Sequence, residues 1–208
     1  MSDTVKLSEV PRVMLTLSKL NSPPQGIKNA AIYMNGNALK IILGTKSEPL
    51  TCPFEPSAYE GKGDRVPVDF RIESQALSDA VDSLDREILR LAKLNKDRLF
   101  KQTKSDGEIE NMYVPLRKAA KDPKYSDTLR TKATFGERPS LKCWNLSTRK
   151  AMDTDDIDWR RSRFSCVAWL SKVWFQGKSF GATLELGHLG VSGESLECPF
   201  EEEFDDEG

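Results

Sequence analysis

Between Asp158 and Ser192 the chain carries the stretch that most restricts what it can fold into. Phe164 to Phe175 is an unbroken β-prone run. Gln176-Gly177-Lys178 is turn chemistry, and Ser179 to Leu186 alternates again, with Phe180, Ala182, Leu184 and Leu186 on one side. This pattern predicts a β-hairpin. Its first strand is apolar on both faces, with Phe164, Cys166, Leu170 and Trp174 on one and Val167, Trp169, Val173 and Phe175 on the other. A strand of that kind needs a core beneath it and further strands beside it. The same stretch holds Trp159, Trp169 and Trp174, three of the four tryptophans, and opens with Arg160, Arg161 and Arg163.

The charge is divided unevenly. The net charge is only −1, yet Glu194 to Gly208 contains eight acids and no Lys or Arg. All 31 basic side chains therefore lie in residues 1–193, with the other 24 of 32 acids, a net of +7. A basic body attracts polyanions, and an acidic tail can compete for the same surface.

At 208 residues the chain is long enough to build a core without disulfides or metals. No apolar run reaches membrane-spanning length, and Met1 to Lys6 lacks a signal pattern. The expectation is an intracellular protein, in the cytoplasm or nucleus of a host cell, neither secreted nor membrane-bound. Cys52, Cys143, Cys166 and Cys198 are widely spaced, and His188 is the sole histidine, so no zinc site and no cofactor are expected. Cys143 and Cys166 lie in apolar runs and read as core thiols.

Along the chain, residues 1–10 read as a frayed end and Arg12 to Leu20 as a strand. Asn35-Gly36 between Ala30–Met34 and Asn37–Leu43 predicts a tight hairpin. Arg65 to Ile72 alternates, and Pro67 assigns it to a sheet edge or strand start. Ser74 to about Phe100 is one long helix, with Leu77, Val81, Leu84, Ile88 and Leu91 on a stripe. Lys101 to Glu110 reads as a loop, Asp127 to Phe135 as a strand with Arg130 and Lys132 on one face, and Leu141 to Leu146 as another strand. About eight strands at short spacing predict a mainly β chain: a small antiparallel Greek-key barrel with the helix 74–100 inserted. The expected division is one domain over 1–193 and a disordered acidic tail over 194–208. Cys52-Pro-Phe-Glu recurs as Cys198-Pro-Phe-Glu.

Binding nucleic acid without sequence choice takes a basic track for phosphates and aromatic faces for bases. The candidates are Arg130, Lys132, Lys142, Arg160, Arg161, Arg163, Lys172 and Lys178, with Trp144, Trp159, Trp169, Trp174, Tyr125 and Phe175. Trp159, beside two arginines and after an acidic loop, is the indole expected to be most exposed. Catalytic signals are poor. No nucleophile, P-loop or metalloprotease motif is present, and His188 lies among glycines. Asp153, Asp155, Asp156 and Asp158 fit no calcium loop. In the tail, Phe200 and Phe204 stand among Glu201, Glu202, Glu203, Asp205 and Asp206, the form of a docking peptide for a basic, apolar-lined pocket.

The basic-aromatic β body, the Trp174-Phe-Gln-Gly-Lys-Ser-Phe-Gly181 hairpin and the acidic aromatic tail resemble the replication-type single-stranded DNA-binding proteins of phages and large DNA viruses. The resemblance implies an OB-like barrel that coats single strands during replication, recombination and repair, with no enzymatic activity. It also implies a tail that recruits polymerase, helicase or primase and screens the empty groove. A homodimer is an option. The chain departs from many such tails, which finish on Phe, because Asp-Asp-Glu-Gly follows Phe204. Two other classes are a virion or scaffold protein assembling through helix 74–100, and a metal-dependent enzyme acting on nucleic acid through acids 153–158.

Overall fold

A computed structural model describes residues 4–24, 27–57, 64–100, 102–135 and 140–193. The fold is mainly β with one long helix, as the sequence pattern requires. Its centre is the predicted hairpin, β11 (Arg163–Gln176) and β12 (Ser179–Ser192), joined across Gly177 at φ +59°. The second strand runs six residues beyond Leu186, where the sequence alternation had ended.

On one edge of β11 lie β4 (Leu39–Leu43), along 166–170, and β3 (Lys28–Tyr33), along 172–175. On the outer edge of β12 lie β9 (Lys142–Asn145), β8 (Thr128–Thr134) and β6 (Tyr113–Val114), all parallel to it. β5 (Arg65–Arg71) pairs antiparallel with β8 and ends the path, consistent with Pro67. β1 (Thr4–Lys6) closes the other end on β4. The path β1-β4-β11-β12-β8-β5 does not close on itself, which is compatible with an OB-like fold. The shorter strands β2 (Thr16–Leu17), β7 (Arg117–Lys118) and β10 (Lys150–Met152) pair with β3, β8 and β9.

Two register shifts bend the central hairpin, between Val167 and Ala168 and between Leu170 and Lys172. They keep Phe164, Cys166, Ala168, Leu170 and Val173 buried along one side of β11. The second shift moves Trp174 off that side and onto the face that carries Trp169. Strict alternation had assigned it to the face of Phe164.

Several local expectations change. Asn35 and Gly36 take positive φ, as the turn demands, but only Met34 and Asn37 bridge across it. β3 and β4 run in the same direction along β11 and do not pair with each other, because β11 offers each a longer ladder. Residues 4–10 are anchored: Val5 and Val10 are buried, through β1 and a 3-10 turn over Leu7–Arg12. The strand expected over 12–20 shrinks to β2.

The helix forms as α1 (Gln75–Leu94), capped by the Ser74 side chain on Leu77 N–H, and is interrupted at Asn95 before α2 (Lys96–Leu99). Within the expected loop 101–110, Ser105 and Glu108 form a capping box that starts α3 (Asp106–Met112). Leu77, Ala80, Val81, Leu84, Ile88, Leu91 and Ala92 of α1 are buried in the protein's own core, so the stripe is not an open assembly face. Each such Leu or Ile contributes about 1.5–3 kcal/mol of burial. Asp85 ties the helix to the sheet, accepting from Tyr113 O–H at 2.5 Å and Leu116 N–H at 2.8 Å. Burial pushes the Cys52 and Cys143 thiols up to about 11 and Cys166 higher still, so these three remain protonated core thiols.

Candidate nucleic-acid interface

The face of the sheet opposite the buried side of β11 collects the charged and aromatic side chains. Cross-strand neighbours share a face, and the register identifies them. Trp169 pairs with Glu185, and Glu185 pairs with Lys132. The Arg65 guanidinium lies 3.2 Å from the Glu185 carboxylate. Arg130 and Lys132 alternate outward on β8 between buried Leu129, Thr131 and Ala133. Together with Lys172 and Trp174 they line a cleft of about 500 Å³, floored by Thr183, Leu184 and Val114. The Trp174 indole N–H donates to Ala182 C=O at 3.2 Å, which fixes the ring in the cleft wall.

Arg130, Lys132 and Lys172 have no ion-pair partner among the described residues. Partial desolvation, then the neighbouring Arg65 and Lys172 charges, hold the Lys132 ammonium below its ordinary range. Cations crowded this way gain when an anion arrives.

Beside the cleft stands an aromatic ladder. The His188 ring lies between two indoles, 6.3 Å from Trp169 and nearly parallel at 1°, and 6.5 Å from Trp144 at 21°. These are offset-stacked geometries. Trp144 Nε1 donates a long 3.4 Å hydrogen bond to His188 Nδ1. On the other side, Lys40 Nζ sits 5.9 Å over the Trp169 ring. The ladder depends on a missing side chain: a Cβ on Gly187 would fall 1.4 Å from the Trp169 ring. Trp144 remains 39 % exposed, a large area for an indole.

The structure thus gathers Arg130, Lys132, Lys142, Trp144, Trp169, Lys172 and Trp174 onto one face. It separates the other candidates from them. Trp159 is 5 % exposed, stacked 5.3 Å from Phe164 and edge-on to Phe135, so it is a core residue. The expectation that it would be the most exposed indole fails because Phe164, at the start of β11, and Phe135, just past the end of β8, pack against it. Arg160 and Arg161 lie in the turn that Asp158 organises, outside the cleft, with Arg161 3.9 Å from that carboxylate. Lys178 is exposed at the hairpin tip, Arg163 is half-buried at the start of β11, and Phe175 stacks on Phe180 away from the cleft. Phe200, Phe204 and the tail acids 201–203, 205 and 206 lie outside the described residues.

His188, Lys40, Arg65 and Lys118 belong to the face and were not among the sequence candidates. His188 carried no sequence signal beyond the glycines on either side of it, because its register against Val167 follows from an irregularity in the hairpin. Asp153, Asp155, Asp156 and Asp158 are exposed around a 3-10 turn. Among the described residues, no three His, Cys, Asp or Glu side chains converge as a metal site. No described helix is long and apolar enough to cross a membrane.

No family model and no curated protein matches the chain. Among solved structures, it is similar to a C-terminal truncation of the single-stranded DNA-binding protein from bacteriophage Enc34, at 12 % identity and TM-score 0.48, over 85 % of this chain and 96 % of that one. The uncut Enc34 protein gives 13 % and 0.46, over 91 % and 97 %. The Enc34 protein in complex with ssDNA gives 11 % and 0.48, over 83 % and 94 %.

Proposed function

We propose that this protein binds single-stranded DNA without sequence preference and coats it stoichiometrically during replication and recombination. The observation that carries this reading is the composition of one sheet face: the indoles of Trp144, Trp169 and Trp174 beside Arg130, Lys132 and Lys172, cations without an ion-pair partner among the described residues. Cations neutralise phosphates, and rings stack on bases that are free to stack, which duplex DNA does not offer. The reading needs no cofactor and no catalytic step. Residues 1–193 form the binding domain. The acidic tail 194–208 competes for the face and, once displaced by DNA, recruits replication proteins such as polymerase, helicase or primase.

A tryptophan-fluorescence titration with oligo(dT) and with duplex of equal length, at several salt concentrations, tests the proposal. Quenching by the single strand that fades with salt, with little response to duplex, is expected. No response to oligo(dT) at low salt refutes it. Deleting 194–208 is expected to raise DNA affinity, most at low salt, and unchanged affinity across the salt series refutes tail competition.

A further inference from the structure

The basic face continues past the Trp174 cleft. On β5, Arg71 follows Asp69 on the same side of the strand. On β8, Thr128 precedes Arg130, and Arg71 and Thr128 are paired in register. Two strand residues advance the face by about 7 Å. There a second cleft of about 610 Å³ opens, and Lys118 lines both clefts. Its Nζ reaches across β8 to Asp69 Oδ2 at 3.0 Å and forms the ridge between them.

The second cleft differs in its walls. Phe54 is 63 % exposed and Tyr125 61 %, two large rings left open to solvent at one place. Lys124 Nζ stands 4.9 Å from the Tyr125 ring centroid. Asp122, the acid in the lining, is already engaged, 3.1 Å from Lys124, and Arg71 of the lining lies 3.8 Å from Glu73. Lys121 in the lining has no ion-pair partner among the described residues.

Resting on the proposed single-strand binding, we infer that this cleft is a second base-stacking subsite on the path of the same strand. The strand crosses the Lys118 ridge, its phosphates exchange Lys118 away from Asp69, and the next bases stack on Tyr125 and Phe54. Continuity of the sheet face favours DNA as the occupant. Exposed rings flanked by cations are what an unpaired base needs and what a phosphate alone does not use.

The test is a length series of oligo(dT) titrated against the full chain and against the double variant Phe54→Ala, Tyr125→Ala. Both rings are exposed, and a thermal melt checks that the variant stays folded. The expected result is equal affinity for the shortest oligomers that bind. At greater lengths the wild type gains about fivefold to a hundredfold, roughly one stacked base, and the variant does not. Photocrosslinking of a 5-iodouracil oligomer should map to residues 118–128. An identical length dependence in both proteins, with no crosslink in 118–128, overturns the inference while leaving the first cleft standing. Binding of a synthetic 194–208 peptide that is lost in the variant, with unchanged length dependence, also overturns it and assigns the cleft to the tail. Failure of every length to bind the wild type overturns the single-strand reading itself.

Discussion

Replacing Lys132 and Lys172 together by Gln tests the electrostatic half of the proposed binding. The two lysines face each other from β8 and β11 across the Trp174 cleft, and neither has a carboxylate partner among the described residues. Five cations on the face have no such partner: Lys40, Arg130, Lys132, Lys142 and Lys172. If each contacts one phosphate, log K falls with log salt at a slope of about −3.5, taking about 0.7 per neutralised phosphate on a single strand. A fourfold rise in salt then weakens the wild type about a hundredfold. The double variant keeps three contacts, a slope of about −2.1, and loses only about twentyfold over the same range. The assay is oligo(dT) titration at four or more salt concentrations, read as a slope. A variant that binds more weakly with an unchanged slope refutes the assignment, because its lysines would then act through something other than phosphate neutralisation.

The aromatic half separates two tryptophans that look alike in sequence. Trp144→Ala is expected to cost about 1–3 kcal/mol of binding, the size of one base stack, with little loss of thermal stability. Trp159→Ala is expected to destabilise the fold by about 3–5 kcal/mol and, in the fraction that remains folded, to leave affinity unchanged. Glu185→Gln removes the carboxylate paired with Arg65. Affinity for oligo(dT) should rise and its salt slope steepen by about 0.7, while an unchanged slope would mean that Arg65 stays off the phosphates. Burial, opposed by hydrogen bonds from Tyr113 and from the Leu116 and Arg117 N–H groups, raises the Asp85 carboxyl above its ordinary range. A raised folded value binds its proton more tightly than the unfolded chain does. The stability it confers is therefore fully present below the ordinary carboxylate range and is lost as pH rises through the folded value. The stability difference between wild type and Asp85→Asn should shift in favour of wild type on acidification, and a pH-independent difference in urea midpoint would contradict this.

The central hairpin and the helix were legible because each repeats a local period over many residues. What escaped was long-range. Trp174 changed faces because of a register shift at Ser171, a displacement that no local pattern records. Trp159 reads as exposed beside Arg160 and Arg161, yet the long-range neighbour Phe135 packs on it together with the nearby Phe164. The alternation of the second hairpin strand stops at Leu186. In the structure the strand continues, and Gly187 leaves room for the Trp169 ring. His188 was not among the candidates because its two indole neighbours are set by pairing with β9 and β11. Lys40 and Arg65 sat on strands that were correctly placed, but sequence supplies no register, and register decides which cations share a face.

The same register explains why the face carries acids at all. Glu185 and Asp69 lie among the cations to which the proposed binding assigns the phosphates, an arrangement that lowers the potential of the empty cleft. Each holds a specific partner, Arg65 at 3.2 Å and Lys118 at 3.0 Å. Partly exposed ion pairs of this kind are worth about 0–1 kcal/mol, so a phosphate displaces the carboxylate at little cost. In the meantime the pairs keep two long, flexible side chains extended over the sheet instead of free in solvent. They also reduce the mutual repulsion felt by Lys132 and Lys172 at the centre. A cleft lined only with cations would bind the first phosphate more tightly but would stand more strained when empty. Lys132 and Lys172, without an ion-pair partner among the described residues, stand beside Trp174, where the proposed binding needs a phosphate and a base at one place.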